Sequence, residues 1–180
     1  MAKRSNFKRI ERDFYATWDK RALPPLLKYI GSGVKFAEPC AGDGSLTRQL
    51  INAGNTPVWQ SDIEPQANNI IQADAFNLTT ELSSADYIIT NPPWSRNRDG
   101  SGLMHDLIRH FKDINDTWLL FDADWMHTKQ LAELIQYCEV AISVGRLKWI
   151  PNSKYDSKDN VCWYKFIKEK TTTKFIGRYK

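Results

Sequence analysis

The chain has 180 residues, the length of one ordinary domain, which leaves no room for a (β/α)₈ barrel of ~250 residues or for a large second domain beside a catalytic one. With 42% apolar and 26% charged residues the composition excludes disorder, while seven tryptophans are more than a core alone usually needs. Net charge is +4 but uneven: residues 1–12 and 165–180 together hold 11 basic and 2 acidic groups, and the rest holds 14 basic and 19 acidic, so the ends offer footholds for a polyanion.

Arg21 to Ile30 reads as a helix with Pro24 and Pro25 in its first turn, where a missing N–H costs nothing. Val34 to Ala37 is a short apolar strand. It runs into Glu38-Pro39-Cys40-Ala41-Gly42-Asp43-Gly44, a glycine turn in which Gly42 and Gly44 permit positive φ and a close backbone approach to a ligand. The turn is neither a nicotinamide GxGxxG nor a P-loop. A helix from Ser45 to Ala53 stops at Gly54. Pro57 to Ser61 is a second strand, followed by Asp62 and Ile63. A carboxylate there, about 20 residues past the glycine turn, can accept both ribose hydroxyls of a nucleoside, and Ile63 offers an apolar wall to its base. Gln66 to Ile71 reads as a short helix at best, and Asp74 behind it can accept from an exocyclic amine.

Asp86 to Thr90 is a third strand, apolar enough to be buried on both faces. Behind it stands Asn91-Pro92-Pro93-Trp94. Two prolines stop the ladder and stiffen the turn, which fixes two acceptors, the Asn91 side-chain oxygen and the Pro92 carbonyl, beside the flat face of Trp94. Such a set suits a planar amine whose lone pair must be aimed at an electrophile. Arg96 and Arg98 follow in a polar run that can grip a phosphate backbone. Gly102 to Phe111 is helical, Trp118 to Phe121 is a strand, and His127 to about Tyr137 reads as a helix. Asp122 and Asp124, after that strand, read equally as functional carboxylates and as caps and rim charges. Val140 to Val144 and Val161 to Ile167 close the chain as strands with no helix between them, which implies an antiparallel pair at one edge of a mostly parallel sheet covered on both faces. Between them Arg146, Lys148, Lys154 and Lys158 flank Trp149 and Tyr155, a mixture suited to unstacked bases, with Trp149 a candidate for the far face of a target base and equally for the core.

In combination and in this order, the glycine turn and the Asn-Pro-Pro-Trp loop resemble the class I S-adenosylmethionine-dependent amino-methyltransferases, whose signatures are (D/E)-P-x-x-G-x-G and (D/N/S)-P-P-(Y/F/W). Asp13 to Thr17 resembles the D-x-Y-x-T-P segment of phage-type DNA adenine-N6 methyltransferases, with Trp18 standing where proline is usual. Gly145 to Ile150 and Cys162 to Tyr164 are similar to the last-strand segment of the same enzymes. The resemblance covers about residues 13–167 and implies a doubly wound, mostly parallel, Rossmann-like α/β sheet of seven strands with an antiparallel edge strand. It implies S-adenosyl-L-methionine as cofactor, with Tyr15, Thr17, Glu38, Gly42 and Gly44 at its methionine end, Asp62 at the ribose, and Ile63 and Asp74 at the adenine. Asn91, Pro92, Pro93 and Trp94 would orient the target amine, with Arg96, Arg98 and Trp149 as further substrate contacts. The expected substrate is adenine N6 in DNA. The alternatives are RNA adenine, DNA cytosine N4, a protein glutamine, or cofactor binding without catalysis.

The three cysteines, Cys40, Cys138 and Cys162, are odd in number and far apart, as expected of reduced thiols in a cytosolic protein rather than a disulfide or zinc set. His105, His110 and His127 lack metal-ligand spacing, so no metal is expected. No apolar run reaches the ~18 residues of a membrane span, and the basic N-terminus lacks the apolar stretch of a signal peptide. The expectation is a single cytoplasmic domain over residues 1–180, with basic end segments 1–12 and 168–180, acting as a monomer or weak dimer on nucleic acid. Without a separate recognition domain, sequence specificity should be short or relaxed, or supplied by a partner.

Overall fold

The computed structural model describes residues 14–79, 84–94 and 102–178. Eight strands form one sheet: β1 (Lys35–Glu38), β2 (Thr56–Asp62), β3 (Ile71–Gln72), β4 (Tyr87–Thr90), β5 (Thr117–Asp122), β6 (Cys138–Arg146), β7 (Asn160–Phe166) and β8 (Lys174–Ile176). Their order across the sheet is β3-β2-β1-β4-β5-β7-β6-β8. The pairs from β3 to β5 are parallel, and β7 runs antiparallel to both β5 and β6. The sheet is therefore mostly parallel with antiparallel pairing toward one side. The sheet has eight strands where seven were expected; two of them, β3 beside β2 and β8 parallel to β6, are short and lie at its two edges.

Three α-helices are described: α1 (Leu23–Ile30), α2 (Ser45–Asn52) and α3 (Leu103–Ile114). One face of the sheet packs Trp118, Trp163 and Ile142 against Leu26 of α1 and Leu46 and Leu50 of α2. The other packs Ile88, Leu119, Phe121 and Tyr164 against Leu107, Ile108 and Phe111 of α3. Fully burying one such side chain is worth about 1.5–3 kcal/mol, so strands β4 and β5, apolar on both faces, are the center of the fold. The indole N–H of Trp163 donates to the Ala22 carbonyl at 2.7 Å and so joins the sheet to the turn that opens α1.

Two elements differ from their sequence expectation. Residues 66–71 form turns and the start of β3 rather than a helix: Ile70 is buried, Ile71 is exposed, and Ile71 and Gln72 pair with Ser61 and Asp62. In place of a helix over 127–137, residues 123–137 form three successive 3-10 turns, Ala123–His127, Lys129–Glu133 and Ile135–Tyr137. Leu131, Leu134 and Tyr137 each donate their amide three residues back, a period that keeps these side chains on one line. The carbonyls at the end of the segment serve other partners: Ile135 and Cys138 accept from the Thr173 hydroxyl, Gln136 from the Thr171 amide and Tyr137 from the Ile167 amide.

The chain runs outward from β1 to β3 and then returns to lay β4 on the other side of β1. The reversal leaves a crevice beyond the carboxyl ends of β1 and β4, the place where open α/β sheets hold ligands.

Candidate active site

The crevice is a cleft of about 1370 Å³. Single small-molecule sites usually measure roughly 300–1,000 Å³, so the space exceeds what one ligand needs. Tyr15, Thr17, Glu38, Gly42, Asp62, Ile63, Asp74, Asn91, Pro92, Pro93, Trp94 and Trp149 all line it. Gly44 lies outside the lining, at the start of α2 with φ of 76°. Arg96 and Arg98, like residues 1–12, lie outside the described residues.

The floor is built from the turn after β1. Glu38 is buried at 1% exposure and accepts a hydrogen bond from the Thr47 hydroxyl. Burial pushes its carboxyl up to about 8, against the Thr47 hydrogen bond, which lowers it. Asp43 accepts from the Ser45 amide and hydroxyl, both at 2.8 Å, and so fixes the start of α2. Gly42 has φ of 56°, and a Cβ there would lie 2.8 Å from the Phe14 ring. Its amide donates to Asp62 Oδ2 at 2.8 Å, while Asp62 Oδ1 accepts from the Glu64 amide at 2.8 Å. Asp62 is thus held rigidly at the end of β2, with lone pairs left for further donors. Asp74 caps the short turn Ala75–Asn77 through the Phe76 amide at 3.0 Å. Ile63 and Phe76, 57% and 40% exposed, present apolar surface on this side.

The strap before α1 crosses the cleft and meets the loop after β4. The Asn91 amide nitrogen donates to the Tyr15 carbonyl at 3.1 Å and to the Thr17 hydroxyl at 3.0 Å. A hydroxyl can donate or accept, but a carbonyl only accepts, so Tyr15 decides which end of the amide faces the strap. Asn91 Oδ1 is left buried and without a hydrogen-bond partner, a costly arrangement for an acceptor away from water. Thr17 is 5% exposed, and its carbonyl accepts from Gln49 of α2 at 2.6 Å.

Trp94 reaches over β5, its indole N–H 3.4 Å from the Leu120 carbonyl. Trp149 meets it edge to face at 5.6 Å and 85°. A base between these two rings would require them to part. The Trp149 carbonyl accepts from the Trp18 indole at 3.2 Å, so the residue standing where proline is usual ties the strap to the far wall. Arg21 adds a second tie: it bonds Asp19 and Asp156, at 2.6 and 2.8 Å. Burial would raise the Asp19 carboxyl, but Arg21 and the Lys148 amide hold it below the usual carboxylate range.

Several cleft residues went unread in the sequence. Phe14 covers Gly42 and Phe76 extends the apolar wall; Trp125, which the sequence places beside a strand as core or pocket wall, is 4% exposed and also lines the cleft, donating to His105 Nε2 at 2.8 Å. Burial, with Arg109 nearby, lowers the His105 pKa and keeps that nitrogen an acceptor. Local signals stood beside both phenylalanines: Phe14 lies in the Asp13–Thr17 segment and Phe76 two residues beyond Asp74. Asp122 and Asp124 line the cleft, and Asp122 also caps the following turn through the Asp124 amide. Among the described residues no cluster of His, Cys, Asp and Glu could hold a metal ion, and no helix is long and apolar enough to cross a membrane.

The topology around this cleft is shared with known structures. A putative RNA methyltransferase from Pyrococcus horikoshii superposes with a TM-score of 0.57 over 80% of this chain and 80% of its own, at 16% identity. A modification subunit of a putative type I restriction enzyme from Vibrio vulnificus gives 0.57 over 89% of this chain at 8% identity. This chain spans 46% of that subunit's length. A putative class I S-adenosylmethionine-dependent methyltransferase from Listeria monocytogenes gives 0.54 over 84% of this chain and 61% of its own, at 13% identity. The fold is that of the class I methyltransferases. No protein-family model and no curated protein matches the sequence.

Proposed function

We propose that the protein is an S-adenosylmethionine-dependent methyltransferase that transfers a methyl group to an exocyclic amine, adenine N6 of DNA. The single observation that carries this reading is the buried, unpartnered Asn91 Oδ1 at the cleft wall, held in place by the strap that borders the floor.

The residues present fit the cofactor. Gly42 keeps the turn low, and a side chain there would meet Phe14. Glu38, Asp62 and Asp74 supply acceptors for an ammonium, two hydroxyls and an amine, and Ile63 and Phe76 supply an apolar wall for a purine. Eight acidic and no basic side chains line the cleft among the described residues, which suits a cofactor carrying a sulfonium and an ammonium against one carboxylate. When bound, the cofactor supplies an electrophilic methyl group.

The chain's own task is positioning. Asn91 Oδ1 and the Pro92 carbonyl accept the two N–H bonds of the amine, which turns its nitrogen lone pair toward the methyl. Those hydrogen bonds strengthen as the nitrogen becomes positive, so they favor the transition state over the bound amine. Trp94 supplies a stacking face. The proton then leaves to water, and no strong base is required.

The test is mass spectrometry of DNA nucleosides from cells expressing the wild type or Asn91→Ala. N6-methyladenine should appear with the wild type alone, while calorimetry shows that the variant still binds the cofactor. Equal signal from the variant would refute the mechanism. No signal from either, with methyl transfer to RNA or protein in a parallel radiolabel assay, would refute the substrate.

A further inference from the structure

Beside the cleft lies a second, more open groove of about 540 Å³, lined by Trp18, Asp19, Arg21, Lys148, Lys154, Tyr155 and Asp156. The two spaces share Tyr155 and Asp156, so the groove opens at the mouth of the cleft. Their electrostatics are opposite in kind. The cleft lining holds eight acidic side chains, of which buried Glu38 is largely protonated at neutral pH, and no lysine or arginine among the described residues, so an uncharged base can enter but a phosphate is repelled by the ionized carboxylates. In the groove both carboxylates are engaged: Arg21 bridges Asp19 and Asp156, and Asp19 also accepts from the Lys148 amide at 2.8 Å. The Lys148 and Lys154 ammoniums form no salt bridge among the described residues. In the same lining Tyr155 is 71% exposed, with Lys154 Nζ 5.6 Å from its ring centroid. An exposed aromatic ring sharing one groove with two ammoniums outside any salt bridge among the described residues is a combination that holds an unstacked nucleotide.

We propose that this groove holds the phosphodiester and base adjacent to the nucleotide whose base enters the cleft, with Lys148 and Lys154 on phosphate and Tyr155 stacked on the neighboring base. The inference rests on the proposed methyl transfer to DNA and narrows the substrate to a strand that is unpaired or opened beside its target adenine. The cleft then reads the base while the groove reads the backbone, within one domain.

The probe is a fluorescent single-stranded deoxyoligonucleotide with one adenine, titrated by anisotropy over a range of salt. Each lysine replaced should lower the slope of log affinity against log salt by about 0.7, so Lys148→Glu/Lys154→Glu should lower it by at least ~1.4. Tyr155→Ala should weaken binding on the order of tenfold with the slope unchanged. Cofactor affinity and melting temperature should hold in the lysine variants, since neither side chain lines the cleft and Lys154 is exposed. Lys154→Gln alone, a surface change, should still lower the slope. If the variants bind like the wild type while the wild type methylates DNA, the groove assignment falls and the enzymatic reading stands. If the wild type neither binds nor methylates the oligonucleotide, the enzymatic reading falls and takes the groove with it. Preference for the matching oligoribonucleotide would overturn the assignment to DNA.

Discussion

Asn91→Asp separates what the motif tolerates from what this structure allows. The motif accepts aspartate at this position, so resemblance alone expects an active enzyme. In this structure the replaced nitrogen faces the Tyr15 carbonyl at 3.1 Å and the Thr17 hydroxyl at 3.0 Å. The hydroxyl can rotate to donate, but the carbonyl cannot, and two acceptors would then face each other. Losing one net hydrogen bond costs about 1 kcal/mol, and leaving the part-buried Tyr15 carbonyl unpaired adds about 1–3 kcal/mol, so the variant should lose roughly 2–4 kcal/mol. For a chain of this size that lowers the melting temperature by roughly 4–16 °C. The new carboxyl can escape by keeping its proton and donating it to Tyr15, so its pKa in the folded protein lies above the unfolded value of about 3.9. A raised folded pKa means that stability is intact below the unfolded pKa and is lost as pH rises through the folded one. The wild-type amide does not titrate. The gap in melting temperature between the two proteins should therefore be small near pH 4 and widen toward neutrality. Calorimetric melts of both proteins, without cofactor, across that range provide the assay. A variant as stable as the wild type at pH 8, with a pH-independent gap, would show that Tyr15 does not orient the amide.

Glu38→Gln should flatten part of the pH dependence of folding: with the wild-type carboxyl raised by burial from 4.5 to about 8, stability falls as pH climbs through that window, and denaturant titrations should show a shallower fall in the variant. Gly42→Ala places a methyl group 2.8 Å from the Phe14 ring at φ of 56°, so it should cost on the order of 1–3 kcal/mol and weaken cofactor binding by displacing the strap, as read by melts and calorimetry. Ile63→Asp changes a side chain that is 57% exposed, so it should leave the melting temperature within about 2 °C while lowering cofactor affinity roughly tenfold; equal affinity would remove Ile63 from the purine wall.

Part of this molecule is written locally. Strands β4 and β5 are short continuous apolar runs, and burial on both faces is the only state that such runs favor, so they are legible without the fold. Gly42 and Gly44 mark a positive-φ turn by residue type alone, and Pro92 and Pro93 end β4 because they cannot extend its ladder. Since the glycine turn and the Asn-Pro-Pro-Trp loop each follow a strand, the cleft's floor and wall could be placed in order along the chain. Residues 127–137 were misread because their leucines suit a helical stripe as well as a period of three, and the choice went to the backbone segment after β7, which takes the carbonyls at 135–138.

The sequence by itself determined the alternation of strands and helices, the glycine turn, the stiff Asn-Pro-Pro-Trp loop and the charge asymmetry of the chain. These depend on side-chain volume, backbone freedom and formal charge, which are properties of single residues or near neighbors. Only the tertiary structure decided that the Tyr15 carbonyl, 76 positions away in sequence, fixes the Asn91 amide and leaves its oxygen orphaned. It likewise decided that Trp18 holds Trp149 across 131 positions, and that the cleft is lined with acid while the free lysines stand outside it. Those facts come from which distant atoms meet, and chain closure around the switch between β1 and β4 is what brings them together.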